Sequence, residues 1–199
     1  GERAFCAGAD IKKLYFSCIA SSDGDFELAS YATEFFQVEY QLDRLLHEYK
    51  IPTICIGHGV VMGGGLGILS ACRHRLVMDG SRLAYPEITI GLFADAGASI
   101  LFQKLPLNAA LFLALTGSEL DSRDALTLGV ATNQFRSLDS SSLLKRLSGL
   151  KYSADREHND RLLDSFFHGE YQGESAPAGP WLKVPDWKFD LEDPSETVE

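Results

Sequence analysis

The sequence predicts an α/β protein in which parallel strands are joined by helices, within one sheet or as stacked ββα turns. Two observations support this fold class. Short apolar runs, typical of strands that are buried on both faces, alternate along the chain with longer segments of helical periodicity. In addition, glycine turns follow two of these runs directly, at Gly8 and at Gly63-Gly64-Gly65, where a strand would lead into a helix.

The first quarter of the chain predicts one short strand and two helices. Residues 1–10 (GERAFCAGAD) hold a short apolar core and a glycine turn, as expected where a strand ends before a helix at residues 11–19. The polar segment 21–25 (SSDGD) predicts a loop. In residues 26–49 the apolar side chains recur at nearly the i, i+3, i+4 spacing of an amphipathic helix, and Pro52 fits its termination.

The central segment predicts a buried strand at residues 51–57, a glycine turn, a buried helix at residues 66–72 and a second strand. Three successive glycines cost backbone entropy, so we expect a requirement for them. One such requirement is a helix N-terminus whose unpaired N–H groups meet an anion, either a phosphate or an oxyanion that forms on a carbonyl. The glycine spacing fits neither common phosphate-binding motif. The alternative is a tight turn that only lets strand and helix pack closely.

The rest of the chain predicts short helices, one strand and a tail. Helices are expected over residues 100–105, 108–116, 121–128, 140–150 and 156–167, with a strand at 130–135. Asp121 can cap the N-terminus of one helix, and Gly117 and Gly129 can end two others. Beyond residue 168 the residues Gly, Ser, Pro, Asp and Glu dominate, so we expect a flexible tail over residues 169–199.

The composition limits the class of partner. The 199 residues carry a formal net charge of −10, which argues against nucleic acid, although a local basic patch can still hold a phosphorylated ligand. No run approaches the ~18 apolar residues of a membrane helix. The cysteines Cys6, Cys18, Cys55 and Cys72 form no C-x-x-C pair, so we expect buried reduced thiols. Because Gly1 directly precedes a motif, we expect the interior of a longer protein, with any targeting segment outside this sequence.

Two carboxylates, Glu87 and Asp95, lie eight residues apart in the segment 85–97 (YPEITIGLFADAG). They are flanked by Pro, Gly and apolar side chains, whose burial would raise a carboxyl pKa and make it a usable general acid or base. The alternative is that both residues cap helices, and for Asp95, just before a predicted helix, the sequence leaves the two interpretations open.

Several groups of residues within positions 1–135 together resemble the crotonase (enoyl-CoA hydratase/isomerase) superfamily. They are AFCAGADIK at 4–12, HG at 58–59, MGGG at 62–65, PE at 86–87, IGLF at 90–93, LTG at 115–117 and AT at 131–132. The resemblance implies a spiral of ββα turns, here lacking its first strands, with C-terminal helices. It divides the chain into a partial acyl-CoA core at 1–135, a helical segment at 136–168 and the tail.

Within this superfamily, the chain is most similar to the 3-hydroxyisobutyryl-CoA hydrolase branch. Hydratases carry a glutamate two residues after the triple glycine, where this chain has Gly67. The hydrolase branch pairs a Pro-Glu glutamate with an aspartate eight residues later, as Glu87 and Asp95 are paired here. The segment 39–42 (EYQL) also resembles that branch, whose glutamate at this place, Glu39, lines the substrate site.

The resemblance implies catalytic roles for four residues. The backbone N–H groups of Ala9 and Gly64 would form an oxyanion hole for the thioester oxygen. Glu87 would attack the thioester carbonyl or activate water for that attack. Asp95 would position the substrate hydroxyl or share the proton transfer. The same resemblance makes Glu39, Gly64, Glu87 and Asp95 the substrate-binding residues.

Lys12 and Lys13 lie near the first glycine turn and can meet CoA phosphates, or they can be ordinary exposed residues of a helix. Neither a metal nor a separate cofactor is implied, because coenzyme A is part of the substrate. The hydrolase branch usually has glycines where this chain has Ala98 and Ser99, and its oxyanion turn reads Gly-Gly rather than Gly8-Ala9. These departures concern the size of the acyl group more than the chemistry.

The resemblance therefore implies hydrolysis of a short 3-hydroxyacyl-CoA thioester, as in valine breakdown. One alternative is an enoyl-CoA hydratase or isomerase that uses Glu87 alone, and another is a non-catalytic fragment that binds acyl-CoA. We expect an acyl-CoA substrate and neither a nucleic-acid nor a membrane partner, and the sequence leaves a homo-oligomer open. The expected location is the cytoplasm, or the mitochondrial matrix if the source is eukaryotic.

Overall fold

Two sheets form the framework of the computed structural model, which describes residues 3–23, 26–136 and 139–170. The first sheet has the order β1-β3-β5-β6, and the second has the order β2-β4-β7. The strands are β1 (Ala4–Cys6), β2 (Ile54–Gly57), β3 (Val60–Met62), β4 (His74–Met78), β5 (Arg82–Ala84), β6 (Leu120–Asp121) and β7 (Asn133–Phe135). Every pair is parallel except β5 with β6, so the predicted α/β class is confirmed.

In the described residues, eight helices connect or cover these strands. They are α1 (Ile11–Asp23), α2 (Phe26–Glu48), α3 (Gly64–Ala71), α4 (Ala98–Phe102), α5 (Leu107–Thr116), α6 (Ser122–Thr127), α7 (Ser140–Ser148) and α8 (Arg156–Glu170). A 3₁₀ turn spans Glu87–Ile90. Successive strands alternate between the sheets, because β2 and β4 belong to the second and β3 and β5 to the first. Each pair of strands is followed by helix, which is the stacked ββα arrangement that the sequence suggested.

The core consists of one large apolar cluster and a smaller one. In the large cluster, Val61 of β3, Leu69 of α3 and Leu83 of β5 are completely buried. The smaller cluster joins Leu76 and Phe135 of the second sheet to side chains of α7 and α8, among them Phe167. The C-terminal helices therefore pack on the second sheet, away from the edge at which β1, β3 and β5 end.

Most predicted elements are present, with differences at their ends. Residues 21–23, predicted as a loop, continue α1, because this helix packs along α2 and the tertiary contact outweighs the weak helix propensity of serine. Strands β3, β5 and β6 were not predicted, since runs of two or three residues carry no periodicity. Helix α8 extends through Glu170, so residues 169 and 170 do not belong to a tail. The remainder of the predicted tail, 171–199, lies outside the described residues.

The thiols and the surface also bear on the sequence expectations. All four cysteines are free, and Cys55 and Cys72 are buried as expected. The expectation is wrong for Cys18, which is exposed because it lies on the solvent-facing side of α1. None of the described helices is both long and apolar enough to cross a membrane.

Replacing Gly65 by Ala should destabilise the chain by about 1–3 kcal/mol, because a Cβ there would overlap the carbonyl oxygen of Cys6 and push α3 away from β1. In an unobstructed helix the same change usually stabilises, by about 0.5–1 kcal/mol. Gly169 of α8 has no neighbouring atom within 4 Å of its missing Cβ, so Gly169→Ala is the matched control. Urea unfolding compares the two variants, and equal changes in their stability would contradict the close packing at Gly65.

Candidate active site

A cavity of about 260 Å³ lies at the edge where three neighbouring parallel strands end. Residues 7–9 follow β1, residues 63–64 follow β3 and residues 86–87 come shortly after β5, and all of these line the cavity. The carboxyl ends of parallel strands commonly form such ligand-binding crevices. Helix α2 and the loop that contains Asp95 close the other side. The predicted site residues Ala9, Glu39, Gly64, Glu87 and Asp95 thus line one cavity.

Two backbone turns meet at this edge because β1 pairs with β3. Gly8 has φ +89, and a Cβ there would lie 3.7 Å from the backbone nitrogen of Gly64. Gly64 is the first residue of α3, where helix geometry leaves the backbone N–H without an intrahelical acceptor. Within the described part of the chain, neither Ala9 nor Gly64 donates a backbone hydrogen bond. Both N–H groups therefore remain available to an oxygen placed in the cavity.

Glu87 is held by the 3₁₀ turn, which ends at Gly91 with a left-handed φ of 78. The residue is only 8% exposed, and its Oε2 has no hydrogen-bond partner among the described residues. Burial is the main cause that raises the pKa of Glu87 from 4.5 to about 7; the negative charge of Asp95 adds to it, and a hydrogen bond from the backbone of Glu87 acts against it. A carboxyl group with a pKa near neutrality can both accept and return a proton.

Asp95 lies in a loop that the neighbouring backbone holds tightly. Ala96 has φ 37, an unusual conformation for a residue with a side chain, and its carbonyl oxygen accepts a hydrogen bond from the Tyr85 hydroxyl at 3.2 Å. Gly97, rather than Asp95, is the N-cap residue of α4, and no side chain caps that helix. The side chain of Asp95 instead accepts a hydrogen bond from the Tyr40 hydroxyl, at 2.6 Å. The interpretation of Asp95 as a helix cap is therefore wrong.

Helix α2 brings further carboxyl groups to the same region. Glu39 is half-buried against the turn, since a Cβ on Gly64 would overlap its Oε1. Burial raises the pKa of Glu39 to about 7, with smaller contributions from the charges of Asp95, Asp43 and Glu87. Asp43 follows one helical turn later, and burial, aided by Asp95, raises its pKa to about 6. The site thus concentrates four acidic side chains, and burial favours the protonated forms of Glu39, Asp43 and Glu87.

Four glycines near the start of α3 meet four different neighbours, which explains their concentration. A Cβ on Gly63 would lie 2.9 Å from Glu87 Oε1, and one on Gly64 would overlap Glu39. On Gly65 it would overlap Cys6, and on Gly67 it would lie 2.5 Å from the carbonyl oxygen of Ala96. The first two glycines admit carboxyl groups to the turn, and the other two allow close backbone packing. Both interpretations of the glycine run therefore apply, at different positions.

The two lysines suggested for CoA do not line the cavity. Lys12 and Lys13 are exposed in the first turn of α1. The ammonium of Lys13 lies 3.9 Å from the ring centre of Tyr31, so it has a cation–π partner within the chain. Among the described residues, the two lysines are near the site only in sequence, because they closely follow Ala9.

Sequence reasoning missed two residues of this region, Tyr40 and Asp43. The available signal was spacing on α2, because residues 39, 40 and 43 lie on neighbouring positions of one helical surface. That spacing does not reveal which side chains Tyr40 and Asp43 approach, since the contact with Asp95 joins residues 55 positions apart.

The arrangement suits chemistry at a carbonyl group. Two backbone N–H groups without acceptors can stabilise negative charge that develops on a carbonyl oxygen. Glu87, with a pKa near neutrality, can act as a base or nucleophile toward the carbonyl carbon. Among the described residues no group of three or more His, Cys, Asp or Glu side chains is arranged to hold a metal ion.

Comparison with known proteins agrees with this chemistry. Residues 1–183 match a family model described as enoyl-CoA hydratase/isomerase. A mitochondrial 3-hydroxyisobutyryl-CoA hydrolase from Xenopus tropicalis is 34% identical over 177 residues, which are 89% of this chain and 44% of that protein. The enzyme of the same name from Danio rerio is 38% identical over 166 residues, 83% of this chain and 41% of that one. The chain thus spans less than half the length of these curated relatives.

Solved structures show the same fold. An enoyl-CoA hydratase from Rhodobacter sphaeroides superposes with a TM-score of 0.67 at 29% identity, covering 81% of this chain and 50% of that one. A carnitinyl-CoA dehydratase from Mycobacterium thermoresistibile gives a TM-score of 0.67 at 29% identity and covers 89% of this chain and 47% of the other. These structures support the stacked ββα arrangement.

The raised pKa values predict a pH-dependent stability. A carboxyl group whose folded pKa lies above its unfolded value contributes stability that is fully present below the unfolded pKa and is lost as pH rises through the folded pKa. For Glu87 this window runs from its ordinary pKa of 4.5 to about 7. Glu87→Gln should therefore gain stability relative to the unmodified chain as pH rises from about 5 to about 8.

Urea unfolding at several pH values measures this difference. Glu48→Gln is the control, because Glu48 lies on α2 with a side chain that is 63% exposed and pairs with Arg44. Its stability should change with pH in parallel with that of the unmodified chain. If the stability of Glu87→Gln also changed with pH in parallel with that of the unmodified chain, burial would not shift the pKa of Glu87.

Proposed function

This chain belongs to the enoyl-CoA hydratase/isomerase family, and we propose that the protein it represents hydrolyses a short 3-hydroxyacyl-CoA thioester to the free acid and CoA. One observation carries the choice of hydrolysis. Glu87 and Asp95 face one cavity, while the position at which hydratases carry a second glutamate is Gly67, packed against the backbone of Ala96. The names of the Xenopus tropicalis and Danio rerio relatives support the same choice.

The N–H groups of Ala9 and Gly64 would bind the thioester oxygen. Negative charge develops on that oxygen when the carbonyl carbon becomes tetrahedral, and fixed donors stabilise this state more than the ground state. Loss of one such donor typically costs about 3 kcal/mol of barrier. Because both donors belong to the backbone of turns that follow paired strands, they need no rearrangement during the reaction.

Glu87 would supply the base or the nucleophile. As a base, it takes a proton from water while the water oxygen bonds to the carbonyl carbon, and it returns the proton to the CoA sulfur as the carbon–sulfur bond breaks. As a nucleophile, its carboxylate displaces CoA and forms an anhydride that water then opens. The buried position of Glu87 suits either route, because a poorly solvated carboxylate is more basic.

Asp95 would position the acyl group. Its Oδ2 is engaged by the Tyr40 hydroxyl, so its other oxygen is free to accept a hydrogen bond from a 3-hydroxyl group of the substrate. The Tyr40 contact fixes the orientation of the carboxyl group toward the cavity. Glu39, opposite Gly64, would limit the size of the acyl group at the same end of the cavity.

A second candidate function is hydration or isomerisation of an enoyl-CoA with Glu87 as the single acid-base residue. The solved structures from Rhodobacter sphaeroides and Mycobacterium thermoresistibile, which are described as a hydratase and a dehydratase, favour it.

Under either function the substrate is an acyl-CoA and no separate cofactor is proposed. We place the whole protein in the mitochondrial matrix if its source is eukaryotic, by similarity to relatives named mitochondrial, and otherwise in the cytoplasm.

Glu87→Gln in the full-length protein should reduce CoA release by about 10²–10⁴-fold, because the amide keeps the shape of the side chain and removes the base. Binding of the acyl-CoA should be nearly unchanged. Asp95→Asn should lower turnover less, since the asparagine still accepts a hydrogen bond from Tyr40 through its amide oxygen. Thiol release from a panel of acyl-CoA thioesters, beside hydration of a 2-enoyl-CoA, measures both activities.

Glu119→Gln is the matched control, because Glu119 pairs with Arg82 on the exposed surface and does not line the cavity. It should leave CoA release unchanged. Full hydrolysis by Glu87→Gln would refute the mechanism, and enoyl-CoA hydration without CoA release would establish the second candidate. Binding of acyl-CoA without any turnover by the full-length protein would identify a non-catalytic binder.

A further inference from the structure

A second cavity, of about 640 Å³, lies on the other side of Asp95 and has no role in the mechanism described above. Helix α2 contributes Tyr40, Asp43 and His47 to its wall, and the loop and helix that follow Phe93 form the opposite side. Asp95 lines both cavities. Its carboxyl group is therefore the point at which the candidate active site meets the second cavity.

Asp43 is the unusual residue of this second cavity. It is only 5% exposed, and neither of its carboxyl oxygens has a hydrogen-bond partner among the described residues. One helical turn further on, the buried Nε2 of His47 also lacks a partner there. Buried polar groups are normally paired, so an unpaired carboxyl group needs an explanation. The cavity that both residues line is large enough to hold water next to them.

Among the residues that the structure describes, the side chains around Asp43 bring no unpaired cation to it. The charged or titratable groups that face it are Glu39, Tyr40 and His47 of its own helix, Asp95 of the loop and Tyr85 after β5. Arg44 also lines the cavity, but its guanidinium pairs with Glu48 at 2.9 Å. Lys104 faces His47, whose pKa is lowered chiefly by burial and then by this lysine. Asp43 is thus free to exchange a proton instead of being fixed in an ion pair.

We propose that Asp43 accepts the proton that Asp95 takes up in each turnover and passes it through the second cavity to solvent. This step rests on the proposed hydrolysis. Addition of water to the thioester gives a carboxylic acid and the CoA thiol, and the acid then loses a proton to become the carboxylate product. Asp95 takes that proton, the Tyr40 hydroxyl or water in the second cavity transfers it, and Asp43 holds it until solvent removes it.

The geometry of α2 supports such a route. Tyr40 and Asp43 are three residues apart, so their side chains lie on one surface of the helix, and both line the second cavity. The Tyr40 hydroxyl already bonds to Asp95 at 2.6 Å, which is the first link. The pKa of Asp43, raised by burial to about 6, lets this residue take up and release a proton near neutral pH. Asp43 acts through Asp95 and does not touch the substrate, so it is a positioning residue.

Asp43→Asn in the full-length protein tests the proposal. The variant should show a kcat lowered about 5–20-fold with KM unchanged, because proton removal becomes slow while substrate binding does not change. The step in the pH profile of kcat near the pKa of Asp43 should disappear. Small diffusible buffers such as imidazole should restore turnover in a concentration-dependent manner, and the unmodified enzyme should show no such dependence. Asp43→Glu, which keeps the carboxyl group, should retain most of the activity.

Glu48→Gln is the matched control, because Glu48 lines the same cavity but pairs with Arg44 at the surface. It should leave kcat and its buffer dependence unchanged. An Asp43→Asn enzyme with normal kcat and pH profile would overturn the proposal, as would a low kcat that buffers do not restore, since that indicates a structural role. If the unmodified protein releases no CoA, the proposed hydrolysis fails and this step fails with it. An active unmodified enzyme beside an unaffected Asp43→Asn variant refutes the proton route alone.

Discussion

The site depends on one packing constraint: the turn before α3 and the first residues of that helix lie very close to neighbouring carboxyl groups and backbone. No side chain can be accommodated at Gly63, Gly64, Gly65 or Gly67 without displacing a carboxyl group or a neighbouring backbone segment. The same approach that leaves the Gly64 N–H exposed to the cavity also brings Glu87 and Glu39 beside it. The glycines at the start of α3 therefore serve two purposes. Because they have no Cβ, the backbone N–H that would stabilise an oxyanion is exposed to the cavity, and the carboxyl groups that would act on the carbonyl can lie beside it.

This arrangement concentrates negative charge, and burial determines how the protein tolerates it. Glu39, Asp43 and Glu87 are each shifted toward the protonated form chiefly by burial, with repulsion among the carboxylates as a smaller cause. Tyr40 donates a hydrogen bond to Asp95 and so fixes the position of one member of the group. The cluster thus combines one carboxyl group held in place by a hydrogen bond with acids that can exchange protons near neutral pH, as acid-base catalysis requires.

Periodicity and turn chemistry predicted much of this fold, and the elements and residues that they did not predict were missed for physical reasons. The amphipathic pattern placed α2 at residues 26–49, within one residue of Phe26–Glu48, because its apolar stripe packs against α1 and α3. Strand β5 was missed because three residues have no period. Spacing and family resemblance singled out Glu87 and Asp95, which line the cavity. They did not single out Tyr40 and Asp43, since only the tertiary contact between α2 and the loop brings these residues to the site. Helix spacing shows which residues share a surface and not what that surface meets.

Packing at Gly67 leaves no room in this chain for a glutamate at that position. A Cβ at this position would lie 2.5 Å from the carbonyl oxygen of Ala96 and 2.9 Å from its Cβ, so a glutamate there requires the loop to move. That loop carries Asp95, and the Tyr85 and Tyr40 hydroxyls hold it in place. A glutamate at position 67 and Asp95 in its present location therefore exclude each other sterically. In this chain the path of the backbone at residue 96 therefore excludes a second glutamate at position 67 on steric grounds, before any difference in acid-base chemistry is considered.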